Sequence, residues 1–236
     1  MKIALLGYGK MGQTIEKLAL EKDHEIVYKS TSESSEGTFA DADVAIEFST
    51  PEAAVSNISK ALKAGIPVVS GTTGWLDKYD EMMELCYERN GSFIYASNFS
   101  VGVNLFFSIN EYAAKLFANW KEYEVSVNEI HHLQKKDTPS GTAITIAEGI
   151  LKYSDKKEWK LDTAEEDTLK ITAKREADVK GTHQVTYVSE IDTVSLKHEA
   201  HSRDGFAKGA ILAAEFLKGK KGVFTMKDVL GLKIND

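Results

Sequence analysis

A strand-like run that ends in three spaced glycines and opens straight into a helical pattern limits this chain to few folds. Residues 2–22 read KIALLGYGKMGQTIEKLALEK. The apolar run comes first, then the turn Gly7-Tyr8-Gly9-Lys10-Met11-Gly12, then Ile15, Leu18 and Ala19 on one helical face. In that context G-x-G-x-x-G has a specific physical reading. Gly7 permits the tight turn, Gly9 lets a pyrophosphate approach the backbone, and Gly12 lets helix and strand pack closely. The helix start offers unpaired N–H groups to the phosphates. Lys10 either adds charge there or is a solvated side chain.

The unit then repeats. HEIVYKST (24–31), ADVAIEF (42–48), IPVVSG (66–71) and SFIYAS (92–97) read as short strands, and residues 51–65 and 76–91 as helices between them. Pro51 opens the first of these helices, and each closes on a glycine. Strands alternating with helices imply right-handed crossovers and a parallel sheet covered on both faces.

Near residue 100 the pattern changes. Residues 101–120 form a long apolar-faced helix, and YEVSVNEI (123–130) alternates Val125 and Val127 against Glu124, Ser126 and Asn128, as a half-buried strand does. A helix over 141–153 follows, then a polar loop over 154–167, then alternating strands at 168–176, 179–190 and 192–202. These predict a mixed sheet with one wet face, a surface often buried against another subunit. Helical patterns at 205–219 and 224–232 return the chain to the first domain. The expected fold is therefore α/β: an N-terminal Rossmann-like parallel sheet and an α+β C-terminal domain with a mixed open sheet. The dinucleotide-binding domain spans 1–101, completed by about 204–236; residues 102–203 form the substrate-binding and oligomerisation domain.

Composition narrows the function. A net charge of −7 over 236 residues argues against nucleic acid as a partner. No apolar run reaches the roughly 18 residues of a membrane span, and the apolar start is too short for a signal peptide, so a cytoplasmic location is the default. Cys86, the single cysteine, reads as a packed side chain.

EIHHLQKKDTPSGTA, residues 129–143, is the densest chemical stretch. Taken singly, its parts are ordinary: a solvated histidine pair, two surface lysines and an N-capped turn. Together they set imidazoles, an ammonium and a helix start side by side. A metal is excluded at this stage, because no third ligand has suitable spacing and His183, His198 and His201 belong to later strands. At the end of the second strand, Lys29, Ser30, Thr31 and Ser32 stand where an acidic residue would select NAD, which favours or tolerates NADP, although Glu33 is close.

Six blocks carry a resemblance over nearly the whole chain: GYGKMG, EFSTPEA, GTTGW, SNFSVGVN, EIHHLQKKDTPSGTA and SRDGFAKGA. In order and spacing the chain resembles the 4-hydroxy-tetrahydrodipicolinate reductase (dihydrodipicolinate reductase) family of the bacterial diaminopimelate and lysine pathway. The resemblance implies an NADPH- or NADH-dependent reductase acting on a small cyclic dicarboxylate, and a homotetramer. It implies that His131 is the catalytic acid and Lys135 the catalytic lysine that pairs with a carboxylate. His132, Thr73, Ser140, Gly141 and Thr142 then contact substrate, the last three as a carboxylate clasp at a helix mouth. The cofactor residues implied are Gly7, Tyr8, Gly9, Lys10, Met11 and Gly12 in the turn, Lys29 after the second strand, Phe48 and Ser49 in the cleft, and Gly71, Thr72 and Thr73 by the nicotinamide. Asn98 and Phe99 border the carboxamide, and Arg203 and Phe206 close from the hinge. Domain closure makes residues 98–104 and 202–206 functional hinges.

The chain departs from the family pattern after the second strand, at Thr182 where relatives carry Glu, and in the compact stretch 150–168. Two alternatives remain open: another NAD(P)-dependent dehydrogenase on the same scaffold, and a non-catalytic nucleotide sensor.

Overall fold

The computed structural model describes residues 1–232. The chain divides into two compact units, one of Met1–Val101 with the segment from Asp204, the other of Gly102–Arg203. Among the described residues, no helix is long and apolar enough to cross a membrane.

In the first unit, β1 (Lys2–Leu6), α1 (Lys10–Leu20), β2 (Glu25–Ser30), β3 (Ser35–Gly37), β4 (Val44–Glu47), α2 (Pro51–Lys63), β5 (Val68–Ser70), α3 (Tyr79–Glu88) and β6 (Ser92–Tyr95) follow in order. The second unit contributes α4 (Val101–Phe117, from the last residue of the first unit), β7 (Glu124–His131), α5 (Gly141–Leu151), β8 (Glu158–Leu161), β9 (Thr168–Arg175), β10 (Thr182–Val188) and β11 (Thr193–Glu199). The chain then re-enters the first unit as α6 (Asp204–Leu217), β12 (Gly222–Phe224) and α7 (Met226–Leu230).

The first sheet runs β12-β6-β5-β4-β1-β2-β3 and is parallel except for β3, which is antiparallel to β2. The alternation of β1 shows how it is covered. Ile3 and Leu5 pack with Ile15, Leu18 and Ala19 of α1 and Ala210, Ile211 and Leu217 of α6. Ala4 and Leu6 face the other side, with Ile58 and Leu62 of α2 and Met82 and Cys86 of α3. Each fully buried Ile or Leu contributes roughly 1.5–3 kcal/mol, so both faces are held by burial rather than by hydrogen bonds. Gly209 lets α6 approach closely, since a Cβ there would lie 1.8 Å from the Phe99 carbonyl oxygen. Cys86 is buried, and burial pushes its thiol up, consistent with packing.

The second sheet runs β11-β10-β7-β9-β8, with β7, β9 and β8 mutually parallel and β10 antiparallel to both neighbours. Val127, Leu169, Ile171 and Val185 pack with Phe106 and Ala114 of α4 and with Ala143, Ile146 and Ile150 of α5.

Three strands depart from the sequence reading. β8 lies in the stretch read as a polar loop; its Glu158 and Lys160 are the charges that an edge strand carries, and they mask the alternation. β3 and β12 have three residues each, too few for a period to appear.

Candidate active site

The glycine turn sits at the carboxyl end of β1 and is built by close approach. Gly7 has φ +102°, and a Cβ on it would fall 2.1 Å from the Phe48 carbonyl oxygen. A Cβ on Gly12 would fall 2.4 Å from the Gly7 carbonyl oxygen, whereas one on Gly9 would meet nothing within 4 Å. Gly9 thus leaves open space over the start of α1, where no side chain caps the first N–H groups. A cleft of about 390 Å³ opens there, lined by Gly9, Lys10 and Met11 on one side and Phe48, Ser49, Gly71, Thr72 and Thr73 on the other. This cradle fits a dinucleotide.

The cleft wall is organised by Glu47, a buried carboxylate that the sequence reading passed over. It accepts from Ser70 Oγ at 2.7 Å, Thr72 Oγ1 at 2.8 Å, the Ser49 N–H at 3.0 Å and the Ser49 hydroxyl. The hydroxyls of Ser49 and Thr72 therefore brace the wall. Gly71 is pressed against the Phe48 ring, whose neighbour at 5.9 Å is Phe99. Asn98 is buried, and its Oδ1 accepts from the Ser100 N–H at 2.9 Å. Thr73 is exposed, and Phe206 is half-buried near the start of α6.

Lys29 is not the free cation that the sequence suggested. Its ammonium pairs with Glu16 at 3.1 Å and Glu36 at 2.9 Å and lies 4.7 Å from the Tyr8 ring centre, while the Tyr8 hydroxyl donates to Glu16. Those carboxylates hold its pKa well above the ordinary lysine value. β2 ends at Ser30, which leaves Glu33 exposed in the following turn.

In the second unit, the inward phase of β7 runs Val125, Val127, Glu129, His131. An apolar phase thus becomes a polar one at the strand end, and Glu129 and His131 are buried together. Register brings the rest. β10 sets His183 opposite Glu129, and β9 sets Arg175 opposite His131. Arg175 donates to Glu129 Oε1 at 3.3 Å, to the Asp137 carbonyl at 2.6 Å and to Thr138 Oγ1 at 2.7 Å, and so ties down the loop that carries Lys135. Lys135 pairs with Asp137 at 2.8 Å. His132 Nε2 receives Arg203 Nη2 at 3.0 Å, which places Arg203 beside the histidine pair within this unit.

Ser140 has an internal role. It is the N-cap of α5, accepting from the Ala143 N–H, and its own N–H and hydroxyl both donate to Glu129. The clasp it forms is on an internal carboxylate because Ser140 is buried on the Glu129 side. Gly141 and Thr142 occupy the first turn of α5. The expectation that no third metal ligand lies near the histidine pair is corrected: the donor atoms of Glu129, His131 and His183 lie within 4.8 Å of one another, because β10 returns beside β7. Glu129, Arg175 and His183 were missed; a glutamate on an apolar phase was the one legible signal.

The charges follow from this packing. Burial alone would raise the Glu129 carboxyl, but His183, Ser140 and His131 outweigh it and pull it down to about 2. Burial, then the neighbouring His183, Lys135 and Arg175, push His131 down to about 4 against the opposing pull of Glu129. His132 is lowered in the same direction by burial and by Arg203.

Family models for the dihydrodipicolinate reductase N-terminus and C-terminus match residues 1–99 and 102–230. A 4-hydroxy-tetrahydrodipicolinate reductase from Christiangramia forsetii is 55% identical over 233 residues, 98% of each chain. One from Methanopyrus kandleri is 37% identical over 198 residues, 80% of this chain and 72% of that one. Among solved structures, a dipicolinate-bound dihydrodipicolinate reductase from a Paenisporosarcina species covers 95% of this chain and 97% of its own, with a TM-score of 0.76. At 22% identity that likeness speaks for the fold. The full-length matches in both halves establish that the chain belongs to the dihydrodipicolinate reductase family.

Proposed function

We propose that the chain reduces (2S,4S)-4-hydroxy-2,3,4,5-tetrahydrodipicolinate to (S)-2,3,4,5-tetrahydrodipicolinate with loss of water, using NADPH or NADH, in diaminopimelate and lysine biosynthesis. The observation that carries this reading is the grouping of His131, Lys135 and the start of α5 at the end of β7, in a chain that also builds the glycine cradle. Met1–Val101 with the segment from Asp204 holds the dinucleotide, and Gly102–Arg203 holds the substrate.

Bound in the cradle, the reduced nicotinamide supplies the hydride. The Lys135 ammonium leaves Asp137 to pair with one substrate carboxylate, and the Gly141 and Thr142 N–H groups, at the positive end of α5, hold the other. His131 delivers the proton. Its ring is neutral at pH 7 in the free chain, because burial and the cations Lys135 and Arg175 disfavour the imidazolium. A dianionic substrate offsets those cations, so binding itself loads the acid. One hydride and one proton enter and one water leaves, which balances the reaction. With Lys29 engaged by Glu16 and Glu36, both cofactors are used, and titrating each against turnover measures the preference. The working assembly is a homotetramer in the cytoplasm; sedimentation tests the first.

The experiment is cofactor oxidation on substrate generated by a coupled synthase, for wild type, His131→Ala and Lys135→Ala. A general acid contributes about 10²–10⁴-fold, so large losses of turnover with NADPH binding intact are expected. Unchanged turnover in both variants would defeat the reading. No turnover of this substrate by the wild type would favour another dehydrogenase if a different substrate oxidised NADPH, and a nucleotide sensor if none did.

A further inference from the structure

We infer that Glu129 and His183 are positioning residues for His131: the carboxylate holds the Nδ1 edge of the imidazole, and His183 with Ser140 holds the carboxylate. The inference rests on the reading that His131 delivers the proton. The three side chains project into one buried space, and their contacts leave few alternatives. Glu129 Oε1 receives Arg175 Nη1 at 3.3 Å and the Ser140 N–H at 3.1 Å, and Oε2 receives the Ser140 hydroxyl. The remaining face of Oε2 looks toward His131 Nδ1 at 3.5 Å and His183 Nε2 at 3.7 Å. His131 Nδ1 is buried and has no hydrogen-bond partner among the described residues. Its nearest acceptor is therefore this carboxylate. The 3.5 Å gap is longer than a hydrogen bond, a looseness that catalytic pairs close when substrate binds.

Ser140 fixes the role of His183. A serine hydroxyl has one proton, and Glu129 takes it, so the contact of 3.3 Å between Ser140 Oγ and His183 Nε2 needs the proton on the imidazole. His183 therefore donates at Nε2 and faces His131 edge-on, with ring centres 5.0 Å apart. On the far edge of His131, Gly181 keeps space free, since a Cβ there would stand 3.3 Å from Nε2. The ring thus turns Nδ1 toward the carboxylate and Nε2 toward the Gly181 side, the arrangement in which a carboxylate behind an imidazole fixes its tautomer and stabilises the imidazolium. When the imidazolium yields its proton at Nε2 it returns to neutral imidazole, and Glu129 stays ionised throughout. A metal ion on the same three residues would have to share Glu129 with the Arg175 guanidinium and displace the Ser140 hydroxyl, so the network reading is the better account of the donors present.

Steady-state kinetics over a pH series, on Glu129→Gln, His183→Leu, His183→Gln and His131→Ala beside wild type, tests this. Glu129→Gln and His183→Leu should lose about 10- to 100-fold in kcat while KM for cofactor and substrate stays within about threefold, as removal of a group that orients a catalytic one does. His183→Gln, whose amide N–H can replace the Nε2 donor, should recover most of the loss. The ionisation that limits turnover should move to lower pH in Glu129→Gln, since the imidazolium loses its counter-charge. If Glu129→Gln does not fold, the His183 pair carries the test. Wild-type kcat and pH profile in Glu129→Gln and His183→Leu, with His131→Ala impaired, would overturn this inference alone. Full turnover in His131→Ala would overturn the proton-donor reading and this inference with it.

Discussion

The burial of His131 makes the stability of the second unit depend on pH in a way that one substitution removes. Burial first, then His183, Lys135 and Arg175, lower the imidazole from its ordinary 6.5 to about 4. As pH falls, the unfolded chain therefore binds a proton at this residue near 6.5, while the folded chain binds it only near 4. Stability rises with pH wherever the unfolded state holds more protons, so this residue costs nothing above about pH 6.5, an increasing amount down to about pH 4, and no more below. A shift of about 2.5 units at 1.36 kcal/mol per unit gives a total of about 3 kcal/mol, of which most is lost by about pH 4.5. His131→Gln cannot titrate and should escape it. Folded Glu129 stays ionised across that window, its carboxyl pulled down to about 2; the protons that its unfolded form takes up toward the acid end, like those of the other histidines, are common to both proteins. Urea unfolding of wild type and His131→Gln between about pH 7.5 and 4.5 should show the wild type losing about 2–3 kcal/mol more than the variant. Parallel curves, agreeing to within about 0.5 kcal/mol, would refute the claim that His131 is held neutral by its surroundings.

Three further outcomes follow from particular contacts. Gly209→Ala must push α6 off the Phe99 carbonyl, 1.8 Å from the new Cβ, and should lower the melting temperature through a loss of about 1–3 kcal/mol; an unchanged melt would mean that α6 packs differently. Glu36→Gln removes one of the two carboxylates on Lys29 and should raise the ratio of NADPH to NADH kcat/KM by about 3- to 10-fold at low salt, less at high salt; no change would remove Lys29 from cofactor selection. Arg175→Ala frees the 135–138 loop and should raise KM for substrate about tenfold, and Arg175→Lys should not restore it, because one ammonium cannot span the contacts of a guanidinium fork; rescue by lysine would reduce Arg175 to a simple charge.

Most of the fold was legible because local signals agreed with it. The apolar phases of β1 and β7, Pro51 at the first turn of α2 and the polar N-cap at Ser140 all mean in the structure what they mean in the sequence. What stayed hidden depended on register or on a partner far along the chain. His183 stands more than fifty residues from His131, and only the β7–β10 pairing sets it opposite Glu129. The internal acceptor of Ser140, Glu129, is visible only once α5 packs at the end of β7. Lys29 looked free because Glu36 reaches it through the β2–β3 pairing, and β3 has too few residues to announce itself. Glu129 itself was there to be read. It continues the phase of Val125 and Val127, and a carboxylate on a buried phase needs partners.

This chain moves hydride from a reduced nicotinamide to a cyclic dicarboxylate. The direct measurement is a turnover with cofactor deuterated at the transferring position of the nicotinamide, on synthase-generated 4-hydroxy-tetrahydrodipicolinate, followed by mass analysis of the product. One deuterium should appear in tetrahydrodipicolinate for each cofactor oxidised, with His131→Ala and Lys135→Ala slowed but their product labelled identically. Product without deuterium, or no oxidation of NADPH or NADH in its presence, would contradict it.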